Sequence, residues 1–264
     1  MSEQIYFDGR TLLIYLAIRF QGDYDKIFLA IQNHDYPFSY DEALKAVEAL
    51  PCKVLTILDY EYPERLKNIW HPPLVLFYYG DISLLNKRCI ATVGSRKCNE
   101  YGQRCTKKIL GQIIQGSVLI SGMARGIDTV AHVCAIKNGA RTIAVLGSGI
   151  DYCYPPENRK LYNYIKKRHL LISEYPYDVT PDTIHFPLRN RIVVGLADAI
   201  FVPQINSYHS GTMISVNYGA DLGKAILVAP FPPGSGTANN RLINEGAIIA
   251  DNGPQILAEL GWKQ

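Results

Sequence analysis

From Cys89 onward the chain alternates short, β-branched apolar runs with helical patterns, and this alternation constrains the fold more than any other feature. Runs suited to buried strands recur at 89–93, 117–120, 142–146, 170–172, 198–202, 225–229 and 247–250. Helical patterns fill the intervals at about 99–115, 126–138, 157–168, 186–196, 211–222 and 237–245. A strand, a helix and a second strand at this spacing form a right-handed crossover, so the strands run mostly parallel with helices on both faces. The expected fold class is therefore α/β, a doubly wound, mostly parallel sheet whose ligands lie at the carboxyl ends of its strands.

The first fifty residues read differently. Thr11–Phe20 is amphipathic, Tyr24–Asn33 follows Gly22-Asp23, and Ser39 opens a helix through Leu50. Ser39 with Glu42 three residues on fits a capping box. We expect a small helical domain over 1–52 and the sheet domain over 53–264. Between them a connector rich in Pro and aromatics runs from Pro51 to Asp81, with strands at Val54–Leu58 and Leu74–Tyr79.

Glycines and cations gather where the strands should end. The run Cys89–Val93 breaks into Gly94-Ser95-Arg96-Lys97 before a helix, an arrangement that suits a phosphate, since arginine can hold it bidentately. Ser121-Gly122-Met123-Ala124-Arg125-Gly126-Ile127-Asp128 is a second glycine loop at a strand end. Asp128 there is expected to cap a backbone amide or hold Arg125, and His132 to be a packed, hydrogen-bonded residue rather than a catalyst. Gly147-Ser148-Gly149 lacks the third glycine of a dinucleotide fingerprint and is followed by Tyr152–Pro156 instead of a helix, so no NAD or other cofactor is expected.

Further along, Tyr154-Pro155-Pro156-Glu157-Asn158-Arg159-Lys160 turns into a helix, placing Arg159 and Lys160 at the same edge as the glycine loops. The later Lys166-Lys167-Arg168 cluster lies one helix length away and reads as a solvated face. Phe186-Pro187-Leu188-Arg189-Asn190-Arg191 sets two arginines around an asparagine. One is expected to point to the site and the other into a structural ion pair, and either assignment is open. Ser210-Gly211-Thr212 opens another helix with hydroxyl and N–H groups, and Tyr208 and His209 before it are candidates for stacking on bases.

Several phosphate-sized sites along one sheet edge suit a polynucleotide better than a single nucleotide. The bulk numbers are compatible with this. Net charge is only +3, so the placement of charge decides, and 48% hydrophobic with 19% charged residues describes an ordinary soluble protein. No apolar run reaches membrane-spanning length, and an acidic, polar N-terminus argues against a secretory leader. The six cysteines (52, 89, 98, 105, 134, 153) contain no CxxC pair and complete no zinc set, so we expect reduced thiols in a cytoplasmic protein.

At these motifs the chain resembles the DNA-processing protein A family of bacteria (DprA, also called Smf). The resemblance runs from about Tyr60 to the end. It is carried by Tyr62-Pro63, Val93-Gly94-Ser95-Arg96 with Tyr101-Gly102, Ser121–Asp128 with Ala131-His132, and Gly147-Ser148-Gly149. It continues through Tyr154-Pro155 with Asn158, Ser173-Glu174-Tyr175-Pro176, Phe186-Pro187 with Arg189-Asn190-Arg191, Ser210-Gly211-Thr212 and 240–247. It implies a protein without catalysis of its own that binds single-stranded DNA, helps load the recombinase RecA onto it during natural transformation, and forms a homodimer. It further implies that the sheet domain is extended Rossmann-like, that Arg96 is a DNA contact, that Arg159 with its neighbour Lys160 is a second basic position, and that the N-terminal helices are a sterile-alpha-motif-like domain. The chain departs from the family at Pro203-Gln204, at Gly223-Lys224 and over 230–236, which leaves the geometry near Ser210 open; it also ends too soon for the winged-helix tail of some members. The competing function is a nucleotide N-glycosidase of the lysine-decarboxylase-like type, but its glycine pair and catalytic glutamate are missing from Ser207–Ser215.

Overall fold

A computed structural model describes residues 8–262. The chain begins with α1 (Gly9–Arg19), α2 (Tyr24–Asn33) and α3 (Tyr40–Glu48). Each starts where a side chain caps it: Asp8 accepts from the Thr11 N–H, Asp23 from Lys26 and Ser39 from Glu42. Only half of the expected capping box forms, because the Glu42 carboxylate accepts from the Tyr15 hydroxyl and ties α3 to α1 instead.

Next come β1 (Lys53–Thr56), α4 (Glu64–Lys67) and β2 (Val75–Gly80), then β3 (Cys89–Thr92), α5 (Glu100–Ile113), β4 (Val118–Ser121), α6 (Ile127–Lys137) and β5 (Arg141–Leu146). The second half runs α7 (Arg159–Arg168), β6 (Leu170–Ser173), α8 (His185–Gly195), β7 (Ala199–Val202), α9 (Gly211–Asp221), β8 (Ala225–Val228), α10 (Asn239–Asn244), β9 (Ile248–Ile249) and α11 (Gly253–Glu259). The strand and helix patterns from Cys89 all appear within a few residues of their expected bounds. Three elements differ, the first being α4, which forms in the connector where only strands are expected. The first strand stops at Thr56 because Asp59 folds back to accept the Thr56 N–H, and α11 follows the last strand where the sequence pattern predicts no helix.

Among the described residues nine strands form one sheet in the order β1-β2-β6-β5-β4-β3-β7-β8-β9. From β6 to β9 all neighbours are parallel, while β1 and β2 close one edge antiparallel. The chain enters this parallel part at β3, walks outward through β4, β5 and β6, then crosses back to lay β7, β8 and β9 on the other side of β3. The fold is the expected doubly wound α/β sheet.

Side chains of each strand alternate between two covered faces. Ala91, Ile120, Val145, Ile200 and Val202 meet α4, α8 and α9 on one face. On the other, Ile90, Leu119 and Phe201 meet α5, α6 and α11, while Phe77, Ala144, Leu146 and Leu171 meet α1 and α7. The N-terminal helices thus share a core with the sheet. Phe77 sits fully buried where they join. We expect Phe77→Ala to lower stability by about 3–5 kcal/mol, read by urea denaturation. Unfolding should occur in one transition reported alike by far-UV circular dichroism and tyrosine fluorescence.

Candidate nucleic-acid interface

Three loops leave the carboxyl ends of β3, β4 and β7 and converge. Gly94 makes this possible: a Cβ there would lie 2.6 Å from the Ile127 side chain and 2.9 Å from the Gln204 carbonyl. Gly126, at φ +75°, packs against the Ser95 carbonyl in the same way, with only 2.4 Å available for a Cβ. The Ser95 N–H donates to the Gln204 carbonyl at 2.9 Å, and the Ser95 hydroxyl accepts the Asn206 N–H at 2.9 Å. Buried Gln204 also accepts the Asn99 N–H, and the Asn206 amide donates to the Lys97 carbonyl. The first and third loops are therefore stitched together before any ligand arrives.

Between them lies a cleft of about 410 Å³. Arg96 and Lys97 are exposed on one wall. Neither makes an ion pair with a described residue, and the Arg96 guanidinium stands 5.5 Å from the centre of the Phe186 ring. Arg189 reaches the cleft from α8, buried, donating to the Val145 carbonyl and the Asn190 side chain. Burial holds its pKa below the ordinary arginine value. Across from it, Asp128 accepts the Ala124 N–H at 3.2 Å. Burial pushes its carboxyl up to about 6, against the pull of Arg189, the Ala124 N–H and Arg96. Three cations thus share the cleft with one carboxylate.

The third wall is the start of α9. Ser210, Gly211 and Thr212 line the cleft with Asn190 and Ser215. The Ser210 hydroxyl is buried without a hydrogen-bond partner and does not cap its helix. An unsatisfied hydroxyl beside unbonded helix N–H groups marks a place prepared for an acceptor-rich ligand. A smaller cavity continues past Arg96, Phe186 and Arg189 toward Gly147, Tyr154 and Arg125. Among the described residues no group of three or more His, Cys, Asp or Glu could hold a metal, and all six cysteines are free thiols.

A family model described as DNA recombination-mediator protein A matches residues 53–261. The chain belongs to the DNA recombination-mediator protein A family. DNA processing protein DprA of Streptococcus pneumoniae is 37% identical over 224 residues, covering 84% of this chain and 79% of that protein. That of Bacillus subtilis is 38% identical over 205 residues, covering 76% and 68%. The X-ray structure of the Streptococcus pneumoniae protein superposes with a TM-score of 0.81 at 32% identity, covering 94% of this chain and 93% of that one. A structure of DNA processing protein A from Helicobacter pylori, concerned with its single-stranded DNA binding mode, superposes at 0.70 with 28% identity, covering 80% and 96%.

Not every residue singled out from the family's motifs faces the cleft. Gly94, Ser95, Arg96, Lys97, Gly122, Arg189, Asn190, Ser210, Gly211 and Thr212 line it. Arg125 stands at the rim of the adjoining cavity, paired with Glu157 at 2.5 Å and not with Asp128. Arg191 corrects the expectation that it joins the interface. It is buried, pairs with Glu174 at 2.6 Å and donates to the His71 and Leu188 carbonyls. The open choice between the two arginines is settled by α8: Arg189 faces the cleft and Arg191 the interior. Asn158 is likewise buried, its amide donating to the Met123 carbonyl and Thr129 hydroxyl, so it shapes the second loop from behind. Arg159 and Lys160 are exposed on α7 outside both cavities. Tyr208 turns away too, its hydroxyl bonded to Glu245 and its ring under Arg241.

Gln204 and Asn206 are the site residues that the sequence motifs do not single out. Their signal lay in the departure Pro203-Gln204, since a buried side-chain amide that bonds both the Asn99 N–H and the Asn206 side chain can take over loop fastening. His132 holds the floor: its Nε2–H must donate to the Gly122 carbonyl, so Nδ1 accepts from Thr142, both at 2.7 Å. Burial drives its pKa down to about 4. The unfolded chain protonates this histidine near 6.5, so stability is lost as pH falls from 6.5 toward 4, on the order of 3 kcal/mol in full. Asp128 works in the opposite sense, because its raised pKa lets the folded state keep a proton that the unfolded state releases. We expect Asp128→Asn to steepen the loss of stability between pH 6.5 and 4.5, measured by urea unfolding across a pH series.

Proposed function

We propose that this protein is a single-stranded DNA-binding recombination mediator without catalysis of its own, and that the cleft is where it grips the DNA backbone. The observation that carries this reading is the combination of two unpaired cations, one buried arginine and an unpartnered hydroxyl at a helix start, all on the carboxyl edge of parallel strands where the winding reverses. Such a site accepts phosphate through fixed donors. The adjoining cavity with Phe186 and Tyr154, whose rings lie 5.4 Å apart, extends it along the edge, as a strand needs and a lone phosphate does not. The Helicobacter pylori relative, concerned with single-stranded DNA binding, supports the same ligand here.

On this reading the protein helps load RecA onto incoming DNA in the cytoplasm during natural transformation, and works as a homodimer. Among the described residues no helix is long and apolar enough to cross a membrane. The sequence pattern speaks for a binding role, since Ser215, which lines the cleft, stands where the nucleotide glycosidase pattern has its glutamate. Release of free base from nucleoside monophosphates would reverse this.

Fluorescence anisotropy with labelled oligo-dT tests the assignment. Arg96→Ala should weaken binding at least tenfold, since an arginine–phosphate hydrogen bond contributes about 1.5–3 kcal/mol. Unchanged affinity with the fold intact would remove the cleft as the site. Duplex DNA of equal length should bind more weakly, because strand-end loops with nearby aromatics favour exposed bases.

A further inference from the structure

On the face of the sheet away from α8 and α9, α5 is only half covered. It has 14 residues and α11, packed beside it, has 7, about 21 Å against about 10 Å. The cover begins where the Gly253 N–H donates to the Gln112 side chain at 3.0 Å, in the last turn of α5. From there α11 leads away to Trp262, whose ring lies 4.6 Å from the guanidinium of Arg88, itself bonded to Ser117 beyond the end of α5. The first half of α5 is left bordering a groove of about 630 Å³, lined on the other side by Pro230 and Ala250, which follow β8 and β9. The groove is held in shape without a ligand. The Tyr101 hydroxyl donates to the Pro230 carbonyl at 3.1 Å, and its ring meets Phe231 edge-on.

Its charge is one-sided. Arg104, Lys107 and Lys108 line it from α5, and among the described residues Asp251 is the only carboxylate there. Arg104 pairs with Glu100 at 3.5 Å. Lys107 and Lys108 are exposed and make no ion pair with a described residue. No acidic residue stands three or four positions from either along α5. Both stand at those spacings from Arg104 instead, where like charges oppose the helix. The groove also lacks what suits the cleft to phosphate. The N–H groups of mid-helix residues are used within α5, so no fixed backbone donors face it like those at Gly94–Lys97 and the start of α9. Flexible ammonium groups beside partly exposed Tyr101 and Pro230 call for carboxylates and apolar side chains together. We propose that this groove docks an acidic segment of a partner protein, its carboxylates on Arg104, Lys107 and Lys108 and an apolar side chain against Tyr101 and Pro230. No lining residue is shared with the cleft, so the partner and the cleft's ligand can be held at once, and the inference does not depend on what that ligand is.

Two fluorescein-labelled peptides test this by anisotropy with the whole protein: Glu-Asp-Leu-Glu-Asp-Phe and its amide analogue Gln-Asn-Leu-Gln-Asn-Phe. The protein should bind the acidic peptide and not the analogue, with an affinity that falls as salt rises. Lys107→Glu/Lys108→Glu changes only exposed side chains and should weaken acidic-peptide binding about tenfold or more. Its oligo-dT affinity at physiological salt should stay within about twofold of the parent, since the groove and the cleft are separate. Arg96→Ala should leave peptide binding unchanged, whatever it does to oligo-dT. No binding of the acidic peptide up to about 1 mM overturns the proposal, as does equal binding of the amide analogue. An oligo-dT loss in Lys107→Glu/Lys108→Glu as large as its peptide loss overturns it too, by making the groove part of a nucleic-acid surface. So does a changed oligomeric state of that variant in sedimentation velocity, which would make the groove a contact between copies of this chain.

Discussion

The cleft exists because two neighbouring strands send their chains to opposite faces of the sheet. β3 and β7 pair along Ile90–Thr92 and Ala199–Phe201. After β3 the chain turns to α5 on the face that holds Leu110 and Ile113, and after β7 it turns to α9 on the face that holds Met213 and Val216. No helix can close the gap between them, so a crevice opens at the carboxyl ends of the strands. What keeps it a defined shape is the backbone bond from Ser95 to Gln204 and the acceptance of the Asn206 N–H by the Ser95 hydroxyl. These bonds set the distance from Arg96 to the start of α9.

Much of the fold was legible because parallel strands buried on both faces are written as unbroken apolar runs, and such runs survive local context. The edges were less so. The short β9, with Ile249 half exposed, and the unanticipated α11 belong to a region where burial is partial and the pattern weakens. At the site, the glycines at 94, 122 and 126 could be read because close approach demands them whatever the ligand. Arg189 and Arg191 could not be told apart, since which of two cations separated by two positions faces a cleft depends on where Glu174 lies, and Glu174 follows β6, outside the helix's own local pattern. Asn158 resembled a contact for the same reason: a buried amide that fastens a loop and one that meets a ligand leave the same trace in sequence.

The division of labour among the arginines follows from solvation. Arg191 is almost wholly desolvated, and Glu174 with two carbonyls replaces the water it lost. It can offer nothing to an anion. Arg189 is buried too, yet its partners are neutral, the Val145 carbonyl and the Asn190 side chain, and its charge is only partly answered by Asp128 nearby. A guanidinium in that condition gains from an incoming phosphate more than a solvated one would. Arg96 has the complementary property. Being exposed, it contributes reach and steering, and the Phe186 face lets it rest without an acidic partner that a ligand would have to displace.

On the proposed reading, Asp128 would make the cleft favour a chain of phosphates over one. Its carboxylate already takes the Ala124 N–H and part of the field of Arg189, so the empty cleft holds an anion of its own. A single phosphate entering beside it meets repulsion at close range and gains only what Arg189 has left to give. A strand spreads its charge. One phosphate near Arg189 would cost the same repulsion, while its neighbours would reach Lys97 and the start of α9. The penalty is incurred once and the attraction accumulates with each further contact, so discrimination grows with the number of linked phosphates. On that reading a buried acid in a basic cleft would sharpen selection for a polynucleotide backbone, and would do so with a residue whose structural duty, holding the loop after β4, keeps it in place.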